Sequence, residues 1–198
     1  MPTLYHDGNR ALQDQFESRR IADKLARFAR DTLNGDDRAF IESTPYFFLA
    51  TADADGRPDC SFKGGMPGFV RLTGPDELAF PDYDGNGMFK SLGNIIANPS
   101  VGLLFIALHG RPQRLRVNGT ASVSRDDPLL AHTVGAQLII RVKAKAIFRN
   151  CPRYLPAMQM VGPSVYSPVP GIEPPEPEWK SFPDFAAEVH PRQPVFKG

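Results

Sequence analysis

The amino-acid sequence predicts a mainly β (α+β) fold: an antiparallel barrel of about six to seven strands with peripheral helices. Three observations carry this. From Tyr46 to Phe148, short apolar or alternating segments follow one another, most of them joined by short turns. Asp, Asn, Gly and Pro gather between those segments. Helical periodicity is confined to the first forty or so residues and to one short stretch at 88–97, so helices and strands do not alternate as a parallel sheet requires.

Taken in order, the first element is a helix over Ala11–Leu33. Leu12, Phe16, Ile21, Leu25, Phe28 and Leu33 recur at helical spacing, and arginines, Lys24 and Asp23 solvate the rest. Asn34-Gly35 tolerates the left-handed conformation and reads as its stop. A second helix runs over Asp36–Ser43 and ends before Pro45. Tyr46–Thr51 is apolar and aromatic, as a strand should be. Asp53-Ala54-Asp55-Gly56 turns it into a returning strand at Pro58–Lys63. After the connection Gly64–Gly68, strands are expected at Phe69–Thr73 and Glu77–Pro81, then a helix at Met88–Ala97 that ends at Asn98-Pro99. Val101–Leu108 is a continuous apolar run, as in a buried strand, and His109–Pro112 is a turn. Arg114–Ser124 alternates apart from a break at Gly119, which predicts a bulge. Gln137–Phe148 is the last strand. The expected organisation is a helical segment at 1–43 packed on a barrel at 44–162, followed by a Pro-rich arm at 163–198.

Composition excludes several function classes. A net charge of +1 argues against nucleic acid as a partner. No apolar run reaches the length of ~18 residues that a membrane helix needs. The opening MPTLYHDGNR lacks the basic and apolar regions of a secretory signal. Cys60 and Cys151 form neither a CxxC pair nor a disulfide framework, so a reducing, cytoplasmic setting is expected.

The densest polar cluster is Asp82-Tyr83-Asp84-Gly85-Asn86-Gly87. It imitates the opening of an EF-hand loop, but Lys90 replaces a donor oxygen and Gly93 replaces the bidentate glutamate, so calcium is not expected. The same segment reads in two other ways. A strand end, a Gly-rich loop and a helix start carrying Lys90 and Ser91 form a phosphate cradle of backbone N–H groups, ammonium and hydroxyl; equally, it is a solvated turn with an incidental lysine. His6, His109, His132 and His190 show no ligand spacing, and no metal is expected. Cys151 has no identifiable base beside it. Arg114 and Arg116 share one strand face and suit either an anion or surface ion pairs. Trp179 either caps an apolar patch or lies beside a ligand ring.

From Phe40 to Val123 the order of elements resembles the FMN-binding split-barrel proteins related to pyridoxamine 5'-phosphate oxidase. Three stretches carry the likeness: Phe48–Thr51 with Gly56-Arg57-Pro58; Leu78–Phe80 through Lys90-Ser91 to Asn98-Pro99 and Val101–Phe105; and Arg114–Ala121. The longer runs KGGMPGFVRL, DYDGNGMFKSLGNI and FRNCPRY look like a bacterial branch of that family. The resemblance implies a split barrel, FMN as cofactor and a homodimer with the flavin at its interface. It implies that Ser61, Phe62 and Lys63 run along the flavin, that Asp82 meets it at a strand end, and that Lys90 and Ser91 grip the phosphate. It also implies that Arg114 reaches the flavin from the partner chain, while Tyr83, Asn86 and Gly87 lie in an expanded loop beside the site. Met66 stands where the true oxidase has a lysine for its substrate, and the Arg-x-His signature is absent near Trp179. These departures argue against the vitamin B6 activity.

The expected function is therefore an FMN-dependent oxidoreductase of unknown substrate, with Lys63 and Arg114 as the cations nearest the pyrimidine edge and no identified acid or base. The alternatives are a flavin carrier or sensor without turnover, or a split barrel that binds F420 or haem.

Overall fold

The computed structural model describes residues 4–107 and 112–189. Residues 109–111 of the turn expected at His109–Pro112, the strand end at Leu108 and His190 lie outside them. Two helices, α1 (Asp7–Gln15) and α2 (Arg19–Ala26), stand in place of the single helix expected over 11–33, and α3 (Gly35–Ser43) matches the second helix expected at Asp36–Ser43. The break falls at Glu17, whose φ of 52° reverses the chain in the left-handed region. Apolar spacing carries across such a one-residue reversal, so periodicity alone does not reveal it. Asn34 is also corrected: its backbone is extended and it begins α3 rather than stopping a helix. Its Oδ1 accepts from Asp37 N at 2.9 Å and Asp37 Oδ2 accepts from Asn34 N at 3.1 Å, a reciprocal cap.

Seven strands follow: β1 (Tyr46–Ala52), β2 (Pro58–Gly64), β3 (Arg71–Leu72), β4 (Glu77–Tyr83), β5 (Ser100–Ala107), β6 (Gln113–Ser124) and β7 (Ala136–Arg149), with α4 (Lys90–Ala97) between β4 and β5. They form one antiparallel sheet in the order β2-β1-β5-β6-β7-β4-β3. The strand expected at Phe69–Thr73 shrinks to two residues because Phe69 and Val70 turn into the core instead of extending the ladder. A short 3-10 turn at Pro128–His132 links β6 to β7, and Asp127 caps it by accepting from Leu129 N.

Register explains the core. Leu49, Leu103, Val117 and Ile147 face one another across four strands and are all buried. The Phe47 ring packs against Phe80 at 4.9 Å and Phe105 at 5.1 Å, and each such buried side chain stabilises the fold by ~1.5–3 kcal/mol. Phe40 and Ile41 of α3 and Leu92 and Ile95 of α4 close the core from outside the sheet. The predicted bulge is present, with the β6–β7 register shifting at Asn118/Gly119. A Cβ on Gly119 would lie 2.2 Å from Lys143 O, so only glycine fits there. By contrast α1 buries no residue and α2 buries only Ala22; Phe16, Ile21 and Phe28 of the apolar stripe face outward. Among the described residues no helix is long and apolar enough to cross a membrane.

Candidate functional site

Between β2, the end of β4 and the start of α4 lies an open cleft of about 460 Å³, within the usual ligand-pocket range of roughly 300–1,000 Å³. Ser61, Phe62 and Lys63 line it from β2, and Asp82 and Tyr83 from β4. Asn86 and Gly87 come from the following loop, and Lys90 and Ser91 from α4. Antiparallel pairing and the packing of α4 on β1 and β2 bring these distant stretches together.

The α4 end of the cleft is polar. Phe89 precedes the helix in the left-handed region (φ 47°, ψ 28°), and the first backbone bond into the helix runs from Gly93 N to Phe89 O at 2.7 Å. The N–H groups before Gly93 therefore have no partner within the helix. Lys90 is exposed beside them, while Ser91 is buried. The Ser91 and Ser61 hydroxyls share a hydrogen bond of 2.9 Å, and Ser91 donates to Asp59 Oδ2 at 3.3 Å. Asn94, one turn on, donates to Thr51 Oγ1 at 3.0 Å and ties α4 to β1.

At the β4 end, Gln137 Nε2 donates to Asp82 Oδ2 at 2.7 Å and to Tyr83 O at 3.1 Å, spanning a register shift between β4 and β7. Burial pushes the Asp82 carboxyl above its ordinary value, against the opposing pull of Gln137 and the Lys63 charge. Burial likewise pushes the Tyr83 hydroxyl up to about 12, against the charge of Arg71. The open side is aromatic: Phe62 is 62% exposed and stacks on Tyr46 at 5.5 Å, and Met88 and Phe89 are exposed at the rim. One end of the cleft thus offers a cation, hydroxyls and free N–H groups, and the other offers ring and backbone surface.

Arg114 is not among the residues that line this cleft. Its guanidinium donates to Cys151 O from β6, and its Nε is buried without a hydrogen-bond partner. Arg116, two residues on, places its guanidinium 5.9 Å from the Phe148 ring. Trp179 packs edge-on against Phe185 at 6.0 Å. Asp84, in the segment that imitates an EF-hand opening, receives the Lys180 ammonium at 2.6 Å. Among the described residues no group of three His, Cys, Asp or Glu side chains could hold a metal ion.

Sequence reasoning missed Asp59 and Gln137. Asp59 lies two residues before Ser61 on β2, so the period of a strand puts both on one face and could have found it. Gln137 reaches Asp82 only through the β4–β7 pairing, for which no local signal exists.

The sequence model of pyridoxamine 5'-phosphate oxidase matches residues 33–162, well over half of the chain. No curated protein matches in sequence. Among solved structures, HupZ of Group A Streptococcus is similar at 17% identity and a TM-score of 0.49, over 59% of this chain and 93% of that one. HutZ of Vibrio cholerae, described as a haem storage protein, is 17% identical with a TM-score of 0.44, over 60% and 95%. A FAD-binding protein of Mesorhizobium loti is 18% identical with a TM-score of 0.41, over 62% and 99%.

Proposed function

The chain belongs to the pyridoxamine 5'-phosphate oxidase family, and from that premise we propose that its cleft binds FMN and that the protein is an FMN-dependent oxidoreductase acting on a substrate other than pyridoxamine phosphate. One observation carries the reading: Lys63, Asp82, Lys90 and Ser91, far apart in sequence, line a single cleft with chemically distinct ends. The residues fit a flavin phosphate. Lys90 and the free N–H groups at the start of α4 suit the phosphate, and the positive end of the helix adds to them. Phe62, Tyr83 and the β2 backbone offer surface for the ring, and Lys63 is the cation on that side. Bound there, FMN would supply the redox chemistry, while the chain's own residues bind, orient and exclude water. In this reading Arg114 completes the site from a second copy. The two cysteines are free and exposed, as suits a reducing cytoplasm.

Asp59 is the discordant member, because its carboxylate sits 3.3 Å from the Ser91 hydroxyl at the phosphate end. That makes a two-sided test possible. A phosphate carries about −1.5 to −2 charges at neutral pH, and losing a hydrogen bond to a charged group costs ~1.5–3 kcal/mol, or about ten- to a hundredfold in affinity. Lys90→Ala should weaken FMN by that factor and leave riboflavin, which lacks the phosphate, nearly unchanged. Asp59→Asn should shift FMN in the opposite direction. Fluorescence-quenching titrations of both flavins into the apoprotein read the result. Equal losses for both flavins, or a Soret or deazaflavin absorption band in the purified protein, would overturn the reading.

A further inference from the structure

A second concavity is larger than the cleft proposed for FMN. A groove of about 1,430 Å³ runs between the N-terminal helices and the outer face of β1, β5, β6 and β7. Its floor is one register row, Ala50–Gly102–Asn118–Ala146, whose small side chains leave the sheet nearly bare. Tyr5 and Phe28 stand on the helical wall, and Phe148 stands on the sheet.

The charge of this groove is one-sided. Arg30, Arg116, Lys145 and Arg149 line it, and among the described residues no aspartate or glutamate does. All four gather near one end of β7. Arg116 lies over the Phe148 ring, Arg149 is the next residue, and Arg30 bonds through its backbone to Ile147 at 2.7 and 3.0 Å. Lys145 is exposed at the β6–β7 bulge. Behind them, Arg30 and Arg149 share a single carboxylate, the fully buried Asp37, at 2.7 and 3.5 Å. One anion therefore faces four cations, in a chain whose overall net charge is only +1. The opposite end is neutral and polar, with Thr51, Asn98, Ser100 and Asn118. Asn118 Oδ1 lies just over Gly102, where an added Cβ would meet it at 3.4 Å.

We propose that this groove is a second ligand site, for a nucleoside polyphosphate: the phosphates lie among Arg116, Lys145, Arg30 and Arg149, and the base lies over the Ala50–Gly102 floor beside Asn118. Three features select this class. Excess cations draw a polyanion and focus its field in a concave surface. Exposed aromatic rings and guanidinium planes stack on a flat heterocycle. Amide side chains read the donors and acceptors of a base edge. The inference does not depend on what occupies the flavin cleft.

The test uses ATP, ADP and adenosine, titrated into the full-length protein by calorimetry at low and at physiological salt. Affinity should fall in that order, and salt should weaken ATP far more than adenosine. The double variant Arg116→Ala/Lys145→Ala should weaken ATP at least tenfold, and FMN titrated into the same protein should be unaffected. Ala50→Phe keeps every cation but fills the floor, and it should also weaken ATP. Adenosine binding as tightly as ATP, ATP binding that neither variant alters, or no binding of any of the three would overturn the proposal. So would an Arg116→Glu/Lys145→Glu protein that turns from dimer to monomer while wild type ignores ATP, because the groove would then be a face between two copies.

Discussion

Asp37 shows how much one side chain does in this molecule. It caps α3, accepts from Arg30 and Asn34, and neutralises Arg30 and Arg149 while fully buried. Burial pushes its carboxyl up, but the Arg30 hydrogen bond, the Asn34 N–H and the two arginine charges outweigh that and hold it below its ordinary value of 3.8. Because the folded pKa is depressed, its contribution is present above the unfolded value and is lost as pH falls through the folded one. Asp37→Asn should therefore cost about 3 kcal/mol at pH 7, as breaking a buried pair does, and the gap from wild type should close below roughly pH 4. Urea midpoints at pH 7 and at pH 3 measure it. A gap of the same size at both would mean that Asp37 acts through packing and not through charge. The sequence names Asp37 only as an acid near a helix start, since its counterions come from residues 30 and 149.

Among the elements, the C-terminal arm has the clearest consequence for the cleft. Lys180, in a short 3-10 turn at Glu178–Ser181, is nearly buried, with its ammonium 2.6 Å from Asp84 and 3.3 Å from Glu176. Pro168 of the same arm covers Gly135, whose φ of +75° and lack of a Cβ admit it. Through Asp84 the arm ties down the loop after β4, and that loop supplies Asn86 and Gly87 to the cleft. Lys180→Met should loosen the loop without unfolding the sheet. Hydrogen exchange at residues 84–88 should quicken, and FMN affinity should fall about tenfold, equivalent to ~1.4 kcal/mol, as the cleft's loop wall loosens. Unchanged exchange there would show that the loop holds its own shape. Neither contact was legible in the sequence, where Pro-rich spacing shows that a segment is irregular and not where it docks.

At the scale of the whole molecule, the described residues leave many large apolar side chains uncovered, and two groups of them bear on assembly. Phe62, Met88 and Phe89 ring the open side of the cleft, and Phe16 and Ile21 stand exposed at the N-terminal helices. Exposed large apolar side chains gathered in this way are the kind of surface that an interface covers. The expected state is a homodimer burying more than ~2,000 Å² in total, as obligate dimers do. Light scattering with the flavin bound is the measurement, and a stable monomer at full flavin occupancy would contradict it.

The chain's local signals were enough for its elements. Aromatic and β-branched runs gave β1 and β5, Asp53–Gly56 gave the hairpin, and the break at Gly119 gave the bulge, because backbone preference is set by a few neighbouring residues. Those signals failed where a single residue reversed the chain, at Glu17, since the periodicity of side chains says nothing about one left-handed backbone. The family resemblance indicated Ser61–Lys63, Asp82 and Lys90-Ser91, and these do line one cleft. Tertiary structure alone decided that Gln137 joins them and that four cations from three separate stretches share one groove. Those meetings depend on strand register and on helices packing against the sheet, and such long-range contacts leave no trace in the residues that flank each partner.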